Sequence, residues 1–255
     1  MTPSTPGELR LLVEAYLDEL ALTPELGALE PPMRHALGGK RVRPVLCLAT
    51  GEAVGARAEQ ILPAAAAVEL VHSFSLVHDD LPALDNDSER RGAPSVWAQF
   101  GEATAVLAGD ALVAEAFRLA LTYDSPAVAR ELVHATLAMI GGQQLDLDGG
   151  AELERLHALK TGALFSASIG CALAAAEVPR SEQGPWRAFA AELGLLFQIV
   201  DDILDGDGYV EQVGQDASRR LADDAADRAQ ARLAEIDADT RVLEEIVAGL
   251  AARTS

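Results

Sequence analysis

The stretch VELVHSFSLVHDDLPALDND, residues 68–87, decides how the rest of the chain is read. Its apolar residues return every three or four positions, the period of a helix, and the pattern reaches back to residue 61. Pro82 ends that helix, and the turn after it can carry Asp85 back towards Asp79. The stretch FQIVDDILD, residues 197–205, repeats the arrangement: an apolar helix that closes on acid. Asp201 and Asp205 are four apart and share a helix face, about 6 Å apart along the axis. A helix C-terminus disfavours negative charge by roughly 0.3–1 kcal/mol per carboxylate, so these clusters are not surface decoration. Carboxylates held together repel one another, and a cation between them removes the conflict. Hard oxygen donors with no thiol or imidazole set suit Mg²⁺ rather than Zn²⁺.

Working outward, segments 8–22, 44–54, 61–78, 102–121, 126–145, 151–177, 182–204 and 216–252 are rich in Ala, Leu and Glu at helical spacing. Gly and Pro mark the joins, and no segment alternates at period two, so no strands are expected. No linker or repeat divides the chain, which predicts one all-α domain over residues 1–255. With 49% hydrophobic residues it has ample material for a core. A net charge of −20 argues against nucleic acid as a partner. Cys47 and Cys171 lie in apolar surroundings and read as reduced, buried thiols of a cytoplasmic protein. The start lacks a basic-then-apolar leader, and no apolar run is read as reaching the roughly 18 residues of a membrane span.

Against this acidity some of the 20 basic residues gather locally, at Lys40, Arg41 and Arg43 and at Arg90 and Arg91, with Lys160 standing apart. Lys40 and Lys160 are the only lysines. Mg²⁺ usually takes one or two carboxylates and completes its shell with water and phosphate, while arginine forks bind phosphate directly. Acid edges opposed to cationic loops therefore suggest two diphosphate sites. The Gly38-Gly39 pair permits close backbone approach, but it lacks the spacing of a P-loop.

Seven stretches in order, GGKRVRP (38–44), residues 68–87, RRGAPS (90–95), LAGDAL (107–112), GGQQLDL (141–147), KTGALF (160–165) and residues 197–205, resemble the motifs of trans-isoprenyl diphosphate synthases, the polyprenyl synthetase family. The resemblance is nearest to the bacterial farnesyl diphosphate synthases. It implies an isoprenoid synthase fold of about ten helices around a central cavity, a homodimer, and three Mg²⁺ ions. The reaction implied is the condensation of an allylic diphosphate, dimethylallyl or geranyl, with isopentenyl diphosphate. Asp79 and Asp85, supported by Asp80, match the first set of metal ligands, and Asp201 with Asp205 nearby the second. Lys40, Arg43, His72 and Arg91 match the isopentenyl diphosphate site, and Arg90, Lys160 and Gln198 the allylic one. Thr161 and Gln198 would lie along the developing carbocation.

Phe74, five residues before Asp79, points down the cavity in the geometry the resemblance implies, and a ring there stops the growing tail. With Ser75 beside it this indicates farnesyl diphosphate, then geranylgeranyl, then geranyl diphosphate. The chain departs from the family pattern after Asp205, where a lysine is absent and Arg219 or Arg220 is the expected replacement. Trp97 stands where many relatives carry histidine. A terpene cyclase of the same fold would lack the Lys40, Arg43 and Arg91 set, and a non-catalytic synthase subunit would have lost one acid cluster.

Overall fold

The structure, a computed structural model, describes residues 4–149 and 152–254 and is all-α. In chain order the helices are α1 (Pro6–Glu19), α2 (Glu30–Ala36), α3 (Val42–Ala53), α4 (Ala58–Asp79), α5 (Val96–Phe100), α6 (Glu102–Ala120), α7 (Ala127–Asp148), α8 (Leu153–His157), α9 (Ala163–Ala175), α10 (Gly184–Asp205), α11 (Tyr209–Val213), α12 (Gln215–Ala234) and α13 (Arg241–Ala251). Helix α4 packs against α3, α6 and α9; α9 in turn meets α3, α7 and α10, and α12 covers α10. The four alanines 64–67 of α4 are buried, facing a core that includes Ala105, Ala108 and Leu112 of α6. Small side chains at such a contact let helix axes approach closely. On its other side Gly51 of α3 meets the Ile61 side chain with no space for a Cβ.

Pro63 lies inside α4 and removes one backbone donor. The Tyr123 hydroxyl mends the ladder next to it, accepting from the Ala64 N–H at 3.1 Å and donating to the Gln60 carbonyl at 2.7 Å. At the far end the Asp85 N–H donates to the Asp79 carbonyl at 2.9 Å, so the turn after Pro82 folds back as its sequence predicts.

Four expectations are corrected. The helix expected at 151–177 is interrupted by a π turn, Ala158–Gly162, joining α8 to α9; residues 150 and 151 lie outside the described residues. The helix expected at 216–252 breaks between Ala234 and Arg241, where the Asp239 carboxylate accepts from the Arg241 backbone N–H and competes with helix continuation. Two short strands exist, β1 (Glu89–Arg90) and β2 (Ala93–Pro94), paired antiparallel with Arg90 opposite Ala93. Arg91 and Gly92 between them both have positive φ, the signature of a tight two-residue hairpin, too short to show alternation in sequence. Finally, α4 and the stretch Leu153–Ala175 are long and apolar enough to cross a membrane by composition, though 67% and 56% of their apolar windows are buried inside the protein.

Candidate active site

The C-terminal ends of α4 and α10, the start of α3, the hairpin and the π turn surround one cavity of about 430 Å³. Its acid edges are Asp79 and Asp201. The Asp79 carboxyl is pushed up to about 6, above all by burial, with Asp85 and Asp80 adding to the effect and Lys160 and Arg90 opposing it. Asp201 is raised as well, by burial and then by Asp205 and Asp202, against the pull of Arg43. Crowded carboxylates held in this way are stabilised by a hard cation. Among the described residues no cage of three or more ligands is preformed, and one or two carboxylates per edge is the donor number Mg²⁺ takes when water and phosphate complete its shell.

The cationic pole lies in the same cavity: Lys40, Arg43, His72 and Arg91 all line it. The Arg43 guanidinium sits 4.6 Å from the Phe165 ring centre and 5.6 Å from that of Phe197. Its buried Nε finds no hydrogen-bond acceptor among the described residues. Burial lowers Arg43 to about 10, with Arg91 assisting and Glu69 and Asp201 opposing, so it is still charged at neutral pH. A cation lying on aromatic faces with its Nε unpartnered among the described residues is available to an anionic ligand. His72 lies next to Arg91, its Nε2 3.5 Å from an Arg91 nitrogen. Burial and the guanidiniums of Arg43, Arg91, Arg90 and Arg41 keep the imidazole neutral, far below its ordinary value. Arg91 also donates to the Gly38 carbonyl and fills the space over Gly39, where no Cβ could fit.

Other predicted residues are placed differently. Asp80 is buried and held by Arg90, whose Nε donates to it at 2.7 Å, and Asp87 adds a longer pair at 3.4 Å. Asp80 therefore braces Arg90 from outside the cavity wall, and Arg90 lines the cavity already paired. Asp85 and Asp205 are exposed at the rims and are not in the cavity wall. Gln198 also lies outside that wall; its amide donates to Asp202 at 2.9 Å, and the carbonyl oxygen is buried without a partner among the described residues. Lys160 and Thr161, on the π turn, do line the cavity, with Lys160 held by Asp146 at 2.7 Å. Gly142 of α7 makes room for that turn, since a Cβ there would stand 2.7 Å from the Lys160 nitrogen. Phe74 lines a second cavity of about 260 Å³ that shares Ser75, Asp79, Met139 and Lys160 with the first.

Arg219 does not replace the missing lysine: it leans towards Asp216 on its own helix at 3.9 Å, and neither it nor Arg220 reaches the cavity. Arg253, near the chain end, does line it. Sequence reasoning placed Arg41 in the basic cluster but missed Glu69 and the buried pair the two form at 2.7 Å in the cavity wall. Arg41 holds a left-handed conformation ahead of α3 and donates to the Gly38 and Leu37 carbonyls, shaping the loop that presents Lys40 and Arg43. Glu69, the one acid between Glu59 and Asp79 in an apolar helix, was the available signal.

An all-α fold with acid and cationic walls around one cavity beside an apolar branch defines an enzyme of the isoprenoid synthase class. The comparisons with known proteins make the assignment specific. Residues 27–243 match the family model described as polyprenyl synthetase. Over 207 residues the chain is 40% identical to a geranylgeranyl diphosphate synthase of Cyanophora paradoxa, covering 74% of this chain and 69% of that protein. Over 238 residues it is 39% identical to a farnesyl diphosphate synthase of Geobacillus stearothermophilus, covering 81% and 80%. Among solved structures, a geranyltransferase from Legionella pneumophila superposes with a TM-score of 0.85 at 32% identity, over 97% of this chain and 96% of that one. The chain belongs to the polyprenyl synthetase family and is a prenyltransferase that elongates prenyl chains.

Proposed function

We propose that the protein condenses an allylic diphosphate, dimethylallyl or geranyl, with isopentenyl diphosphate and stops at farnesyl diphosphate. The observation that carries this reading is the Arg43 pole, its Nε unpartnered among the described residues, in one cavity with Asp79 and Asp201 and with the Phe74 branch beside it. Asp79 and Asp85 on one edge and Asp201, with Asp205, on the other would hold Mg²⁺. When bound, it would neutralise charge building up on the departing diphosphate. Lys160 adds a cation on the allylic side, and Arg90, fixed by Asp80, a second. Lys40, Arg43, His72 and Arg91 orient isopentenyl diphosphate so that its double bond meets the electron-poor allylic carbon, and the carbocation left by the new bond loses a proton to the released diphosphate. The Thr161 hydroxyl lines the path between them, and apolar walls keep out water that would quench the cation.

One domain spanning the chain, cytosolic residence and a homodimer complete the proposal. Free, buried Cys47 and Cys171 support the compartment. Exposed Leu107 on α6 and Leu137 and Ile140 on α7, 54%, 62% and 52% accessible on neighbouring helices, support a second copy as the cover for that face. The decisive assay incubates the purified protein with Mg²⁺, isopentenyl diphosphate and dimethylallyl or geranyl diphosphate. Farnesyl diphosphate is expected. Geranylgeranyl diphosphate would correct the length, hydrocarbons would indicate a cyclase, and turnover only with a second protein would indicate a subunit.

A further inference from the structure

The tail cavity has a second boundary besides Phe74. His78, one turn further along the same face of α4, meets the Phe74 ring edge to face, with centroids 5.1 Å apart and planes at 79°. Its Nε2 lies 3.0 Å from the Val106 carbonyl of α6. A carbonyl can only accept, so the proton is on Nε2 and the ring orientation is fixed. Gly109, one turn along α6 from Ala105, is where the ring lands: any Cβ there would overlap the imidazole. His78 and Phe74 both line the 260 Å³ branch, so the imidazole bridges α4 to α6 across its wall and braces the ring that blocks it.

We propose that His78 is a specificity-determining residue: clamped between Gly109 and Phe74, it closes the route between α4 and α6 and holds Phe74 in its blocking orientation. This rests on the reading of the protein as a chain-elongating synthase. Removing the imidazole frees the Phe74 ring to swing into the vacated space, and the tail can then grow past an intact Phe74.

The test measures the products formed by the full chain with Mg²⁺, isopentenyl diphosphate and geranyl diphosphate. In His78→Ala the ratio of geranylgeranyl to farnesyl diphosphate should rise at least about tenfold over the unaltered protein. His78→Gln, which can still donate to the Val106 carbonyl but offers no ring edge, should shift the ratio in the same direction and serves if the alanine variant folds poorly. Adding Gly109→Ala to His78→Ala refills part of the vacated space and should move the ratio back, an outcome that general loosening of α4 would not give. Unchanged products in both His78 variants, alongside longer products from Phe74→Ala, would overturn the inference. Absence of any elongation by the unaltered protein would instead remove the synthase reading beneath it.

Discussion

Arg43 shows how a single side chain trades stability for binding. A guanidinium whose buried Nε has no acceptor among the described residues, resting on Phe165 and Phe197, is a cost to the folded protein that an anionic ligand removes. Arg43→Met should therefore raise the denaturation midpoint while raising the KM for isopentenyl diphosphate about 10- to 150-fold, from the roughly 1.5–3 kcal/mol of hydrogen bonds to a charged group. Steady-state kinetics and urea titration of one preparation check both halves. His72 gives a pH prediction. Its imidazole stays neutral when folded but protonates near its ordinary 6.5 when unfolded, so protons favour the unfolded chain. Its contribution is present in full above that pH and is lost as pH falls below it. His72→Asn should flatten the fall in thermal midpoint between about pH 7 and about pH 5.

At the scale of elements, the π turn 158–162 aims Lys160 and Thr161 into the cavity. One residue fewer would restore a regular helix and rotate everything before the deletion by about 100° relative to α9. Deleting Ala158 should leave helicity unchanged by circular dichroism, because an α turn replaces the π turn, while α8 rotates and His157 moves off Asp202, which lies 3.8 Å away. The Tyr123 patch in α4 predicts a different loss. Tyr123→Phe strands the Ala64 donor and the Gln60 acceptor and should cost about 1–3 kcal/mol in chemical denaturation. The long helices, the Pro82 turn and the opposed charges were legible in sequence because each is a local pattern or a clustering of one residue type. What Gln198, Asp80 and Arg90 touch was not, since a hydrogen-bond partner ten or more residues away, or a rotamer chosen by packing, leaves no trace in spacing. The break at Asp239 was missed because alanine and glutamate on either side continue the helical composition across it.

Across the whole molecule a net charge of −20 presses outward on the fold. Thermal midpoints should rise with NaCl between low salt and about 1 M, where the screening length is only about 3 Å; a flat response would mean the acids are already neutralised by their neighbours. If two copies join through α6 and α7, sedimentation should give twice the 26.8 kDa chain mass, and Leu137→Glu should return it to one. The hairpin between β1 and β2 sets a limit on how such a chain can diverge. Its adjacent arginines serve opposite sides, Arg90 answering Asp80 and Arg91 answering Gly38 and His72. One inserted residue would exchange the two assignments, so descendants can alter this loop by replacing letters but not by changing its length.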